Sequence, residues 1–289
     1  MSKILVTGAT GTTGQQVVEA LLIQGADIRL GVRTPSKVSH FVERGAEVVV
    51  YDYDRPETLQ AAMNGVERLF LLTPFVEDFV SLTQLAVDAA KAVGVSFVLR
   101  LSGVGADPNA EGGPGLHHGL AENIIKESGL QWSMLQPTFF QDNILNFQSG
   151  SIQAEGKMYG ASGTGRSSYV SAGDIGRAGA AILLNPAKHV GKSYVLTGPE
   201  AHSDAEVASM VGEIIGKPIS FVNLTSEQYA GGMKASGSPD WMIDHMVVLE
   251  GIKANGWAET VSPDYTEITG QSAESMFSYL SANKERLLG

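Results

Sequence analysis

The sequence predicts an α/β protein, a doubly wound parallel sheet with a smaller C-terminal portion, and three observations carry that prediction. Short β-rich runs alternate with helical patterns through the first half, a glycine-rich turn follows the first run, and the alternation stops near Pro137. Strands that alternate with helices are joined by right-handed crossovers, which make the sheet parallel and cover both of its faces.

In chain order, Ile4-Leu5-Val6 is the first strand and Gly8 to Gly14 a turn. Gln15 to Ile23 is a helix whose Val17, Val18, Leu21 and Leu22 share one face. Further strands are expected at 28–32, 47–50, 68–72, 97–101 and 131–135, with helices near 37–43, 57–63, 79–93 and 120–127. Past Pro137, residues 150–168 are glycine-rich and aperiodic, and read as a long connection. Residues 172–185 are helical up to the Asn185-Pro186 stop, and 192–197 form another strand. Ser203 and Glu206 make a capping box for a helix with the stripe Val207, Met210, Val211, Ile214 and Ile215, closed by Gly216-Lys217-Pro218.

Composition narrows the function. A chain of 289 residues can bury roughly 75% of its unfolded surface, so it needs no covalent staples. It has no cysteine, which excludes disulfides, thiolate metal sites, iron–sulfur clusters and cysteine nucleophiles. With 20 basic residues against 31 acidic ones, the net charge of −11 argues against a nucleic-acid surface. No apolar run approaches the ~18–20 residues of a membrane span. The opening from Met1 to Gly8 is too short for a signal peptide. A cytoplasmic protein acting on a small molecule is expected, with no membrane partner and its oligomeric state left open. The six histidines show no metal-ligand spacing, so no metal is expected.

Gly8-Ala9-Thr10-Gly11-Thr12-Thr13-Gly14 is a GxxGxxG turn between strand and helix. Gly8 permits the tight turn, Gly11 lets backbone approach a pyrophosphate, and Gly14 lets helix and strand pack closely. This is the Rossmann-type signature of a dinucleotide site, with the amides of Thr10, Thr12 and Thr13 around it. An acidic residue at the end of the second strand would select NAD. Arg33 stands there instead, with Ser36 and Lys37 following, and suits the 2′-phosphate of NADP. Asp27 begins that strand and lies at its wrong end. The organisation expected is one NAD(P)-binding unit over 1–289. Its core is 1–138 plus about 165–197, and its substrate-side portion about 139–164 and 198–289. Phe139, Phe140, Phe147, Tyr159, Trp241, Met242, Met246 and Trp257 are candidates either for an apolar substrate pocket or for core.

Several motifs together resemble the NmrA-like group of atypical short-chain dehydrogenases. They are the run Val6 to Gly14, Arg33, Asp52 after the third strand, Leu72-Thr73-Pro74 after the fourth, Ser128-Gly129-Leu130, and the run Leu135 to Asn143. The group includes NADPH quinone reductases, triphenylmethane dye reductases, enzymes that reduce iminium alkaloids, and redox-sensing co-regulators. The resemblance implies that Asp52 contacts the adenine side and that Leu72, Thr73 and Pro74 line the cofactor. It also implies that Ser102, Pro137, Thr138 and Phe139 flank the nicotinamide. Gln136 replaces the arginine common before that proline.

The departure from the wider family is catalytic. Short-chain dehydrogenases use a YxxxK pair, in which the tyrosine protonates the substrate oxygen. Extended members add a glutamate four positions after the lysine. Setting that glutamate on Glu122 puts His118 at the lysine position and Pro114 at the tyrosine position, and no tyrosine occurs between Tyr53 and Tyr159. His118 is the candidate substitute proton donor, because imidazole titrates near neutrality. The function expected is NADPH-dependent hydride transfer to an apolar, electron-poor acceptor: a quinone, an iminium or a cationic dye. The alternative is a non-catalytic NADP(H)-sensing regulator acting through a protein partner.

Overall fold

The computed structural model describes residues 2–289, so Met1 and its part in the opening segment lie outside the described residues. The chain begins with β1 (Ile4–Thr7), α1 (Thr12–Ile23), β2 (Ile28–Val32), α2 (Ser39–Val42), β3 (Glu47–Val50), α3 (Glu57–Met63) and β4 (Arg68–Leu71). It continues through α4 (Phe79–Val93), β5 (Phe97–Leu101), α5 (Gly113–Glu127) and β6 (Gln131–Pro137). Next come α6 (Ser149–Glu155), β7 (Lys157–Gly160), β8 (Arg166–Ser167), α7 (Ala172–Leu184) and β9 (Lys192–Leu196). The C-terminal part holds β10 (His202–Ser203), α8 (Asp204–Ile215), β11 (Ser220–Asn223), α9 (Ser226–Ala235) and α10 (Asp240–Ala254). It ends with α11 (Asp264–Thr269), α12 (Met276–Ala282) and α13 (Lys284–Leu288).

The chain forms two compact units. The first holds the chain through Pro137 together with Ala172–Val195 and Glu267–Gly270; the second holds Thr138–Ser171, Leu196–Thr266 and Gln271–Gly289. Residues 165–171, expected with the core, therefore belong to the second unit.

In the first unit the sheet order is β3-β2-β1-β4-β5-β6-β9, and the pairings from β3 through β6 are all parallel. Strand polarity thus sends every turn after β1 to β6 to one edge. Alternation along the strands sorts the faces. Leu5, Leu69, Leu71, Val98 and Met134 point to a buried cluster with Leu59 and Met63 of α3, Ala86, Val87 and Ala90 of α4, and Ile125 of α5. On the other face α7 packs against α1, and its small residues permit this. A Cβ on Gly176 would stand 2.6 Å from the Gln16 backbone, and Gly179 lies against Val17, Phe70 and Leu135. Helices on both faces make the sheet doubly wound, as expected.

Five expectations need correction. Helix α5 starts at Gly113, seven residues before the predicted 120, because Pro114 sits in its first turn, where a missing N–H costs no hydrogen bond. Residues 150–168 hold α6, β7 and β8; elements this short fall below the length at which periodicity shows. The expected helix at 37–43 is a 3₁₀ turn, Pro35–Val38, followed by the single turn α2. The fourth strand stops at Leu71, whereas β6 runs on to Pro137.

In the second unit α8 carries the predicted capping box: Ser203 accepts from the Glu206 amide, and Glu206 returns the bond. Val207 and Val211 then join Ile144, Leu145, Ile152, Met158, Tyr169, Met276, Tyr279 and Leu280 in a separate core. None of the eight aromatic and methionine candidates is fully buried, and Phe147 and Trp257 are each 72% exposed. The buried core of this unit is built from other residues, with Phe139 packed against it. Among the described residues no helix is long and apolar enough to cross a membrane.

Candidate active site

The turn after β1 is shaped by three glycines with three different reasons. Gly8 has φ +68°, in the left-handed region, and a Cβ there would also strike the Leu72 side chain at 2.8 Å. A Cβ on Gly14 would lie 2.0 Å from the Gly8 carbonyl oxygen, so α1 can approach the turn only with glycine at that position. Gly11 differs: it is exposed, and a Cβ would meet only the Gly8 oxygen, at 3.4 Å. Nothing inside the protein demands glycine at 11, which leaves close approach by something outside it. Gly11 is the N-cap of α1, no side chain caps the helix, and its first turn carries no acidic residue. The first-turn amides of Thr12, Thr13 and Gly14 lack intrahelical acceptors and sit at the positive end of the helix dipole. Thr10 and Thr12 are exposed beside them, and Thr13 is buried.

The neighbouring strand ends add to the same edge. Arg33, Ser36 and Lys37 follow β2 and are exposed, and Arg33 has no partner among the described residues. Asp27, at the opposite end of β2, pairs with Lys3 at 3.6 Å. The Asp52 carboxylate is engaged locally, accepting from the Asp54 amide at 3.2 Å and from Arg55 Nε at 3.1 Å. Its expected contact with adenine therefore competes with an existing pair. Thr7 Oγ1 ties β1 to β4, donating to the Phe70 and Leu72 carbonyls and accepting from the Leu72 amide at 2.9 Å. This fixes where Leu72, Thr73 and Pro74 leave the sheet.

At the end of β5, Ser102 is 5% exposed and its Oγ has no hydrogen-bond partner. The His118 ring from α5 lies against Gly103: a Cβ there would stand 3.2 Å from His118 Nε2. Close packing of α5 on this loop depends on glycine again, since a Cβ on Gly119 would stand 2.2 Å from Asp107 and Pro108 backbone. Pro114, which the resemblance sets at the tyrosine position, is buried in the first turn of α5. Both histidines reach Phe79 of α4, His117 edge-on at 5.9 Å and His118 tilted at 5.4 Å, although successive helix positions diverge.

Sequence reasoning missed Arg100. It is buried in β5 and faces the α4 and α5 side as Val98 does. Its Nη1 and Nη2 each stand 3.4 Å from His118 Nδ1. Burial pulls its pKa down to about 10 against the opposite pull of Glu122 and Tyr53, so it is a cation at neutral pH. Glu122 is buried and accepts from Lys126 Nζ and from Gln136 Nε2, both at 2.8 Å. Gln136, where the resemblance leads one to expect an arginine, thus offers Glu122 one hydrogen bond from an uncharged amide. The available signal was a lone charge inside the apolar run Phe97 to Leu101.

Of the remaining expected residues, Pro137 closes β6, and its carbonyl accepts from the Val104 amide at 3.0 Å. Thr138 and Phe139 belong to the second unit. Thr138 Oγ1 donates to Ser168 O at 2.6 Å, and Phe139 packs against Tyr169 and lies 5.4 Å from Lys253 Nζ. Lys253 is itself clamped between Asp204 at 2.9 Å and Glu250 at 2.6 Å. Burial alone would raise the Asp204 carboxyl, but Lys253, Ser162 and Tyr169 hold it below its ordinary value.

The model of the NmrA-like family matches residues 1–256. The chain belongs to the NmrA-like family. Among its relatives is the NAD(P)H azoreductase of Xenophilus azovorans, 32% identical over 280 residues and covering 97% of both chains. Quinone oxidoreductase 2 of Escherichia coli strain K12 is 30% identical over 244 residues, 83% of this chain and 84% of that one. A solved structure of an NADPH-dependent quinone oxidoreductase from Escherichia coli, complexed with NADPH, superposes with a TM-score of 0.87. It shares 27% identity and covers 97% of this NmrA-like chain and 99% of its own.

Proposed function

We propose that this NmrA-like protein is an NADPH-dependent reductase of apolar, electron-poor small molecules, quinones and cationic or iminium dyes foremost. One observation carries the reading. The edge of the sheet carries the glycine turn, an uncapped helix start and exposed Arg33, and Pro114, set by the resemblance at the position of the usual acid, is buried. The residues present fit NADPH on three counts: the open Gly11, the unpartnered Arg33, and the buried Ser102 hydroxyl that lacks a partner. When bound, NADPH supplies the hydride.

The chain's own parts divide the remaining work. Gly8, Gly11, Gly14 and the amides of Thr10, Thr12 and Thr13 would hold the pyrophosphate. Arg33, with Ser36 and Lys37, would hold the 2′-phosphate. Asp52, Leu72, Thr73 and Pro74 would bound the adenine and ribose side, and Ser102, Pro137, Thr138 and Phe139 the nicotinamide. His118 is the chain's candidate donor toward the acceptor.

Acceptor chemistry follows from the missing hydroxyl. A ketone that takes hydride develops an alkoxide, which needs a donor in the transition state. A cationic acceptor becomes neutral instead, and a quinone spreads its charge over the ring. The azoreductase and quinone oxidoreductase names of the relatives accord with this class, and none of them favours the regulator alternative. Steady NADPH consumption with a simple benzoquinone is the expected result. Tight NADPH binding with no turnover on any quinone or dye would replace the proposal with the sensor reading.

A further inference from the structure

We propose that Arg100 is a positioning residue that makes His118 a hydrogen-bond donor through Nε2, not a proton donor, toward the acceptor's oxygen. This rests on the reductase reading and deepens it. Two guanidinium nitrogens face Nδ1, each at 3.4 Å. A guanidinium has donors only, so Nδ1 must present its lone pair, and the ring's single proton goes to Nε2. A proton on Nδ1 would point at two N–H groups of a buried cation. The neutral ring has nothing further to give up, because loss of the Nε2 proton would leave an imidazolate. Nε2–H can therefore polarise and stabilise developing negative charge, while the proton that completes a hydroquinone comes from water after hydride transfer.

The surroundings hold this arrangement. From β5 comes Arg100, from α4 apolar Phe79, and from the loop after β5 the backbone of Gly103. One turn along α5 stands Glu122, whose two oxygens are taken by Lys126 and Gln136. The neighbouring His117 also turns toward Phe79. Arg100 itself is locked between strands, with Phe79 6.0 Å from its guanidinium carbon. His118 as a general acid would need Nε2 protonated and Nδ1 protonated at once, and the second of these is what Arg100 opposes.

The test reads the imidazole directly. ¹⁵N–¹H correlation spectra of the full-length protein with NADP⁺ bound, with the His118 signal assigned by its loss in His118→Gln, should show the Nε2–H tautomer between about pH 6 and 8. Quinone reduction by the wild type should stay flat across that range. His118→Gln, whose amide offers a neutral N–H, should keep activity within about tenfold, whereas His118→Ala should lose about 10²-fold in kcat. In Arg100→Met the pH profile should gain a limb in the ordinary histidine range. If Arg100→Met does not fold, the wild-type spectrum still decides. An imidazolium signal that titrates near neutrality in the wild type, or equal loss in His118→Gln and His118→Ala, would overturn the proposal and leave the reductase reading intact. The expected tautomer with no quinone turnover would overturn the reductase reading, and with it the role toward an acceptor, while the Arg100-set tautomer would stand.

Discussion

Gly11 and Gly14 are three residues apart, and substitutions at them should have separate consequences. Gly11→Val meets only the Gly8 oxygen at 3.4 Å, so the fold should survive while the β-branched side chain holds backbone away from the pyrophosphate. NADPH should then no longer raise the melting temperature. Gly14→Ala places a methyl group 2.0 Å from the Gly8 oxygen and should cost about 1–3 kcal/mol or more in denaturant unfolding. Arg33→Asp removes a charge-assisted contact of roughly 1.5–3 kcal/mol. Calorimetric titration should show a wild-type preference for NADPH over NADH of about 10- to 100-fold, lost or reversed in the variant. An Arg33→Asp protein that keeps its NADPH affinity would contradict the assignment.

At the scale of elements, α8 and α10 are joined by the clamp of Lys253 between Asp204 and Glu250. Removing the ammonium leaves two carboxylates buried without their cation, so Lys253→Ala should destabilise the protein by about 3–5 kcal/mol. Asp204 titrates below its ordinary value. Its contribution is present above that value and is lost as pH falls through the depressed one. Burial lowers Lys253, but Asp204 and Glu250 raise it further, so its contribution lasts through neutrality and disappears only as strong alkali removes the proton. Urea midpoints should therefore drop below about pH 4, and less in a Lys253→Met, Asp204→Asn double variant. Clamps of this kind were not legible in the sequence, because Asp204 and Lys253 are far apart in the chain and each alone looks like a surface charge. The capping box at Ser203 was legible, because both partners lie within one turn.

For the whole molecule, the parallel sheet, its helices on both faces and the glycine turn followed from patterns within about 30 residues of chain. Legibility failed where meaning depends on what a residue faces. Nothing in the strand Phe97 to Leu101 says that Arg100 meets His118, and 150–168 looked like a loop because its elements are only two to seven residues long. Pro114, which the resemblance sets at the position of the acid, sits buried in the first turn of α5, where a proline is accommodated. The proposed class of acceptor rests on that exchange.

The most direct measurement is NADPH oxidation across a panel of one cationic triarylmethane dye, one quinone and several aliphatic ketones, compared as kcat/KM at one pH. With no tyrosine hydroxyl beside the acceptor, the dye and the quinone should exceed every ketone by at least about 10²-fold, the low end of what a general acid contributes. Ketones reduced as fast as the quinone would contradict the account, since another residue of this chain would then be supplying the proton that Pro114 cannot.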